Sequence, residues 1–217
     1  MAVVLCIETA TTNCSVALSV NGSVIAFRED SDKNYSHAEQ LHVFIEEILA
    51  EVKLDKANLD AIAVSKGPGS YTGLRIGVSA VKGLCYALEI PLISIPTLAV
   101  LASQVNSAAT VVPMLDARRM EVYAAVYAEE KEIRKTRAEI LNETSFAEYL
   151  QAGKVVFIGN GVEKFKTLCQ HPNAEFITDA LPSAKQMAVL AEKKYTDKLF
   201  EDVAYFEPYY LKDFKMG

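Results

Sequence analysis

Lys66-Gly67-Pro68-Gly69-Ser70-Tyr71-Thr72-Gly73-Leu74-Arg75-Ile76-Gly77 is the stretch whose reading decides the fold. A short apolar run, Ala61 to Ser65, precedes it and reads as a buried strand. The unbroken apolar and small-residue run Val78 to Leu88 follows, long enough for a helix. Three glycines and a proline between Gly67 and Gly73 exclude regular structure there, so the stretch is a strand–loop–helix junction. Gly67 and Gly69 permit positive φ around the turn at Pro68, and Ser70 or Thr72 can cap the helix. Such a loop has two readings. Its free N–H groups at a positive helix end suit a phosphate, or it is a tight turn that lets strand and helix approach closely.

Upstream, Val3 to Glu8 is a near-continuous apolar strand of the kind found at a sheet centre. A polar turn, Thr9 to Asn13, leads into a second strand, Cys14 to Val20. Asn21-Gly22 is a two-residue hairpin signal, and Ser23 to Arg28 makes the third strand. After a charged loop, Glu29 to Tyr35, Ser36 with Glu39 forms a capping box. Leu41, Phe44, Ile45, Ile48, Leu49 and Val52 then keep helical period. Beyond the glycine loop and its helix come a strand at Pro91 to Ile95 and a helix at Thr97 to Val105.

The order then repeats. Strands are expected at Thr110 to Leu115, Met120 to Ala128 and Glu132 to Glu139, a helix at Ser145 to Gln151 and a strand at Val155 to Ile158. Helices follow at Glu163 to Cys169 and Ala184 to Tyr195, the last with Pro182 just before its start. Three strands, helix, strand, helix, twice over, is a duplicated unit. Strands alternating with helices give an α/β fold, here two βββαβα lobes with a cleft between them. The expected domains are residues 1–104 and 105–217, with an irregular aromatic tail from Asp202 that can pack back on the first lobe.

At 217 residues, half of them apolar, the chain can bury a real core and is not disordered. A net charge of -6 argues against holding nucleic acid alone, which requires clustered cations, although a role on RNA beside a basic partner stays open. No basic n-region and no apolar run of membrane-spanning length is present, and four scattered cysteines without CxxC spacing read as reduced and buried. A cytoplasmic protein with no membrane attachment is expected.

His37 and His42 lie five apart, which turns a helix by about 140°, so they do not face one ion together. They and His171 read as surface histidines, and no metal site is expected. Gly69-Ser70-Tyr71 is not a nucleophile elbow, because Ser70 directly follows its glycine. Glu8 and Asp116 end equivalent strands, where carboxylates often carry function, and fit either a magnesium or nucleotide cleft or charges leaving the core. The helix after the glycine loop is apolar on every side, so it is central or covered on its outer side. Val78, Val81, Leu84 and Cys85, with Leu74 and Arg75 before them, offer a partner interface beside Leu41, Phe44, Ile45 and Ile48 of the first helix.

The opening Ile7-Glu8-Thr9-Ala10-Thr11, the glycine loop after the fourth strand, Asp116-Ala117-Arg118, Glu121-Val122-Tyr123, Gly159-Asn160-Gly161 and Pro208-Tyr209-Tyr210-Leu211 together resemble the bacterial TsaB (YeaZ) family. The resemblance covers nearly the whole chain. It implies an actin-like fold (ASKHA, ribonuclease H-like) and a non-catalytic subunit in the synthesis of threonylcarbamoyladenosine in ANN-decoding tRNA. It also implies pairing of the first two helices with the larger paralogue TsaD, which holds the metal and transfers the group. The ATPase TsaE joins them, TsaC supplies the intermediate, tRNA is met only through the complex, and isolated members form homodimers.

Where ATP users of the fold carry acid-x-Gly-Thr after the first strand, this chain has Glu8-Thr9-Ala10-Thr11, and Ala10 places a Cβ where phosphate needs open backbone. Glu8, Thr11, Gly69 and Asp116 are the weak candidates for nucleotide contact. No cofactor is required of this chain itself, with ATP or ADP and a divalent metal entering through partners. A stand-alone ATPase or kinase of the same fold is the alternative. With Ala10 beside it, the glycine loop reads mainly as a structural junction.

Overall fold

The computed structural model describes residues 2–31, 37–106 and 109–212. In chain order the elements are β1 (Val3–Glu8), β2 (Cys14–Val20), β3 (Ser23–Asp30), α1 (His37–Val52), β4 (Ala61–Gly67), α2 (Tyr71–Leu88), β5 (Leu92–Pro96) and α3 (Thr97–Ala102). Then come β6 (Thr110–Asp116), β7 (Glu121–Ala128), β8 (Lys131–Ile140), α4 (Ala147–Ala152), β9 (Val155–Gly159), α5 (Val162–Lys166), β10 (Ala174–Thr178) and α6 (Ala184–Thr196). The expected cap at Ser36 lies outside the described residues. Among the described residues no helix is long and apolar enough to cross a membrane, and all four cysteines are buried.

Two compact units result, 1–100 with 182–217, and 101–181. In the first, five strands run in the order β3-β2-β1-β4-β5, with β1 antiparallel to β2 and parallel to β4. The hairpin signal holds: Asn21 and Gly22 both take positive φ, at 50° and 75°, between β2 and β3. Successive side chains of a strand face opposite ways, and β1 is buried on both. Leu5 and Ile7 pack under α1 and α2 with Ile48, Val78 and Val81. Val4 and Cys6 lie on the other side with Ala61, Ala63, Ile93 and the α6 residues Ala184, Met187, Ala188 and Ala191.

That second layer corrects the expected division at residue 104. A central strand with two apolar faces needs cover on both, and α6 supplies the second cover from the far end of the chain. Its start is fastened to the first unit by Asn13 Nδ2 donating to the Pro182 carbonyl (2.9 Å) and the Ala184 N–H donating to Ser15 Oγ (2.9 Å). Residues 182–217 therefore belong with the first unit.

The second unit repeats the sheet as β10-β9-β6-β7-β8. Its core gathers Phe146, Phe157 and Phe165, with ring centroids 4.8–5.7 Å apart. Sequence reading missed β10, a five-residue edge strand paired with β9 and exposed at alternate positions. With it, the two sheets match strand for strand.

Met187 is fully buried on the first sheet while Val189, two residues on, is 68% exposed. Met187→Ala should cost about 2–4 kcal/mol, and Val189→Ala within about 0.5, both read from urea unfolding. Hydrogen exchange in Met187→Ala should accelerate in β1 and β5 and leave β9 unchanged. Acceleration confined to β9 would refute the placement of α6.

Candidate functional site

The junction singled out in the sequence closes against the first turn. β1 ends at Glu8, whose carboxylate is fully buried. Its Oε1 accepts the Ala10 N–H at 2.7 Å, and its Oε2 accepts the Ser65 hydroxyl from β4. The Thr9 N–H adds a further hydrogen bond. Burial raises the carboxyl from an ordinary value near 4.5 to about 7, against the opposing pull of those donors.

The glycine loop leaves β4 at Gly67 (φ 109°), passes the cis Gly67–Pro68 peptide, and enters α2 with Ser70 as N-cap, its hydroxyl accepting the Gly73 N–H at 3.2 Å. The Ser70 N–H donates to the Ala10 carbonyl at 2.7 Å, and the Thr9 hydroxyl donates to the Gly73 carbonyl at 2.8 Å. Gly69 in the loop and Gly73 and Gly77 in α2 all abut the β1–β2 turn. A Cβ at Gly69 would collide with the Ala10 carbonyl, at Gly73 with the Thr9 carbonyl and at Gly77 with the Thr9 hydroxyl. The loop is thus packed onto the β1–β2 turn, backbone against backbone.

Of the four nucleotide-contact candidates, Glu8 is buried and engaged, and Gly69 faces Ala10. Thr11 is 7% exposed, its carbonyl accepting from His37 Nε2 at 2.7 Å. Asp116, in the second unit, is partly exposed, accepting from the Arg118 N–H (2.6 Å) and pairing with Lys164 (3.0 Å). His37 corrects the expectation of a surface residue. It is buried on the turn, and that burial lowers its pKa. Among the described residues no three His, Cys, Asp or Glu side chains converge as metal ligands would.

The expected partner interface also needs correction. Leu41, Ile45, Ile48, Leu74, Val78, Val81 and Cys85 are each at most 4% exposed, inside their own lobe. Phe44 and Leu84 are half-buried against that core, and only Arg75 is exposed. The apolar residues of α2 are accounted for by the sheet beneath it and by the C-terminal segment beside it. Glu201 bridges Leu92 (2.9 Å) and accepts Ser94 Oγ (2.5 Å). Val203 and Phe206 join the core, while Lys82 Nζ donates to the carbonyls of Ala204 (3.0 Å) and Phe206 (2.9 Å). The Tyr209 N–H reaches the Lys66 carbonyl (2.6 Å), and Arg75 stacks over Tyr71 (4.3 Å), whose ring lies 4.8 Å from that of Tyr210. Residues 201–210 form a strap along α2. What α2 leaves outward is Thr72, Arg75, Ser79, Gly83, Tyr86 and Ala87. Burial alone distinguishes these from the core set, and the apolar pattern carried no signal for it.

The raised Glu8 pKa fixes a sign. The folded chain holds this proton more tightly than the unfolded one, so stability falls as pH rises from about 4.5 to about 7 and the loss is complete above that. Glu8→Gln mimics the protonated acid. Its stability advantage over the wild type should grow from near zero at pH 4 to about 3 kcal/mol above pH 7, measured by urea midpoints. A difference that does not change with pH would refute the assignment.

The family model described as TsaD, tRNA N6-adenosine threonylcarbamoyltransferase, matches residues 31–216. The chain is 31% identical to the tRNA threonylcarbamoyladenosine biosynthesis protein TsaB of Haemophilus influenzae, over 96% of this chain and 93% of that one. It is 30% identical to TsaB of Escherichia coli, over 97% and 94%. The solved structure of YeaZ from Pseudomonas aeruginosa superposes with a TM-score of 0.84 at 28% identity, covering 97% of this chain and all of that one. The two matched sheets and these neighbours place the fold in the actin-like (ASKHA) class. The chain belongs to the TsaB (YeaZ) family, within the wider group that the threonylcarbamoyltransferase model describes.

Proposed function

We propose that this chain serves tRNA threonylcarbamoyladenosine biosynthesis as a subunit without chemistry of its own, binding and activating a TsaD-type threonylcarbamoyltransferase. The names of its relatives support the pathway. The observation that carries the subunit role is the closure of the glycine loop on the β1–β2 turn. In ATP users of such folds a loop of this kind offers its amides to phosphate. Here the Ser70 N–H goes to Ala10, and the Thr9 and Ala10 N–H groups go to Glu8. ATP or ADP, the divalent metal and tRNA are then handled by partners, the transferase and a TsaE-type ATPase, in the cytoplasm. The isolated chain pairs with itself through the same face.

That face is the outward side of α2. Its middle is Gly83, where an added Cβ would meet nothing within 4 Å. Gly83→Arg therefore folds normally and places a bulky cation where a partner would approach.

Purified TsaD-type transferase should threonylcarbamoylate tRNA far faster with this chain than without it. Gly83→Arg should weaken their association by about 30-fold or more, as loss of an interface centre does, and reduce modification accordingly. Modification unaffected by omitting the chain, or Mg-ATP turnover by the chain alone, would overturn the reading.

A further inference from the structure

Three sequence motifs that the subunit role does not draw on meet at one turn of the second unit. Asp116-Ala117-Arg118 and Glu121-Val122-Tyr123 bracket the β6–β7 turn, and Gly159-Asn160-Gly161 packs behind it. The Asp116 N–H donates to Asn160 Oδ1 at 3.0 Å, and the Gly161 N–H to the Met114 carbonyl at 3.1 Å. A Cβ at Gly161 would press on Val122, Leu115 and the Asp116 nitrogen. Lys164 of α5 closes the bracket, its Nζ donating to the Glu121 carbonyl (3.1 Å) and pairing with Asp116 (3.0 Å). This turn is the counterpart of the β1–β2 turn, and the chain uses it differently. Thr9, Ala10 and Thr11 are at most 7% exposed, whereas Arg118, Arg119 and Met120 all face solvent.

Both arginines are held at positive φ, 70° and 48°. Glycine or asparagine takes such a backbone with less strain, so the stability of the turn does not account for two arginines. Neither guanidinium has a hydrogen bond or ion pair among the described residues. The acids on the flanking elements are matched already: Asp116 by Lys164 (3.0 Å), Glu139 by Arg134 (2.8 Å) and Glu163 by Lys166 (3.8 Å). Glu121 is half-buried at the start of β7. A firmly built turn therefore displays two uncompensated planar cations, and the guanidinium fork fits phosphate oxygens in pairs.

Resting on the tRNA pathway proposed above, we propose that Arg118 and Arg119 contact the phosphodiester backbone of the tRNA when the chain sits in its complex. Two such cations on a chain of net charge -6 do not suffice to hold RNA alone. They suit a positioning contact, one that fixes the RNA's register while the partners supply most of the affinity.

The test assembles the chain with purified TsaD-type and TsaE-type partners and measures affinity for an unmodified tRNA transcript from about 50 to 200 mM salt. Arg118→Gly with Arg119→Gly relieves the backbone and should hold or raise the urea midpoint. It should nevertheless weaken tRNA binding about tenfold or more and lower the salt slope by about 2, with affinity for the transferase unchanged. Arg118→Lys with Arg119→Lys keeps the charge without the fork, and should keep the slope while recovering part of the affinity. Lys131→Ala with Lys135→Ala removes the same charge from exposed positions of β8 and should leave tRNA binding as it was. Wild-type tRNA affinity in the glycine pair, in a complex whose activity requires this chain, would overturn the proposal and leave the subunit role standing. Equal weakening by the Lys131 and Lys135 pair would reduce the effect to net charge, and loss of transferase binding in the glycine pair would assign the turn to a protein contact. Either result overturns the proposal. Modification unaffected by omitting the chain would instead overturn the role on which it rests.

Discussion

The contact on which the first unit depends is the backbone approach between the β1–β2 turn and the start of α2. Two hydrogen bonds define it, Ser70 N–H to the Ala10 carbonyl and the Thr9 hydroxyl to the Gly73 carbonyl. Three glycines at spacing four make it geometrically possible. A side chain at any of them would drive α2 off the turn, and α2 carries Leu74, Val78, Val81 and Cys85 into the core. Displacing the helix would uncover those residues together. The spacing of the glycines is therefore a packing constraint, and the same packing takes up the Ser70 amide at the start of the helix.

The strap follows from that arrangement. With α2 seated close to the sheet, its flank at Tyr71, Arg75 and Lys82 faces away from the core, and the chain uses its own end to cover part of that flank. The strap's contacts are chiefly main-chain: Lys82 to two carbonyls, the Tyr209 N–H to the Lys66 carbonyl, Glu201 to Leu92. Val203 and Phe206 in the core, Glu201 on Ser94 and Tyr210 against Tyr71 add side-chain anchors, and Tyr205, 85% exposed, lies outside them.

What could be read from the sequence was local. The Asn21-Gly22 hairpin, the near-continuous apolar β1, the glycine junction and the duplicated order of elements all follow from neighbours within a few residues, and the structure has them. What could not be read was which side of an apolar element is covered, and by what. α1 and α2 looked like an interface because seven of their residues, now buried, were apolar, and apolar periodicity does not separate a core from a docking face. α6 was assigned to the second lobe because it follows that lobe in sequence. Its partners are Ser15 and Asn13, 169 residues away. His37 was read as a surface residue because nothing in a helix pattern announces that its Nε2 meets the Thr11 carbonyl. β10 escaped because a short, half-exposed edge strand has a weak pattern.

Glu8 ties these strands together. A carboxylate with no exposure is an expensive way to end a strand, since burial opposes its charge and a neutral residue of the same shape would avoid that opposition. Its retention makes sense only through what it accepts. Two successive N–H groups of a tight turn have no partner in the sheet, and leaving both unpaired in a buried site would cost about 1–3 kcal/mol each. The carboxylate satisfies them and the Ser65 hydroxyl at once, joining the turn to the strand that leads into the glycine loop. An acid at this place can serve a bound metal when it faces open space. Drawn inward onto its own turn, it becomes the brace that holds the turn against Gly69 and Gly73.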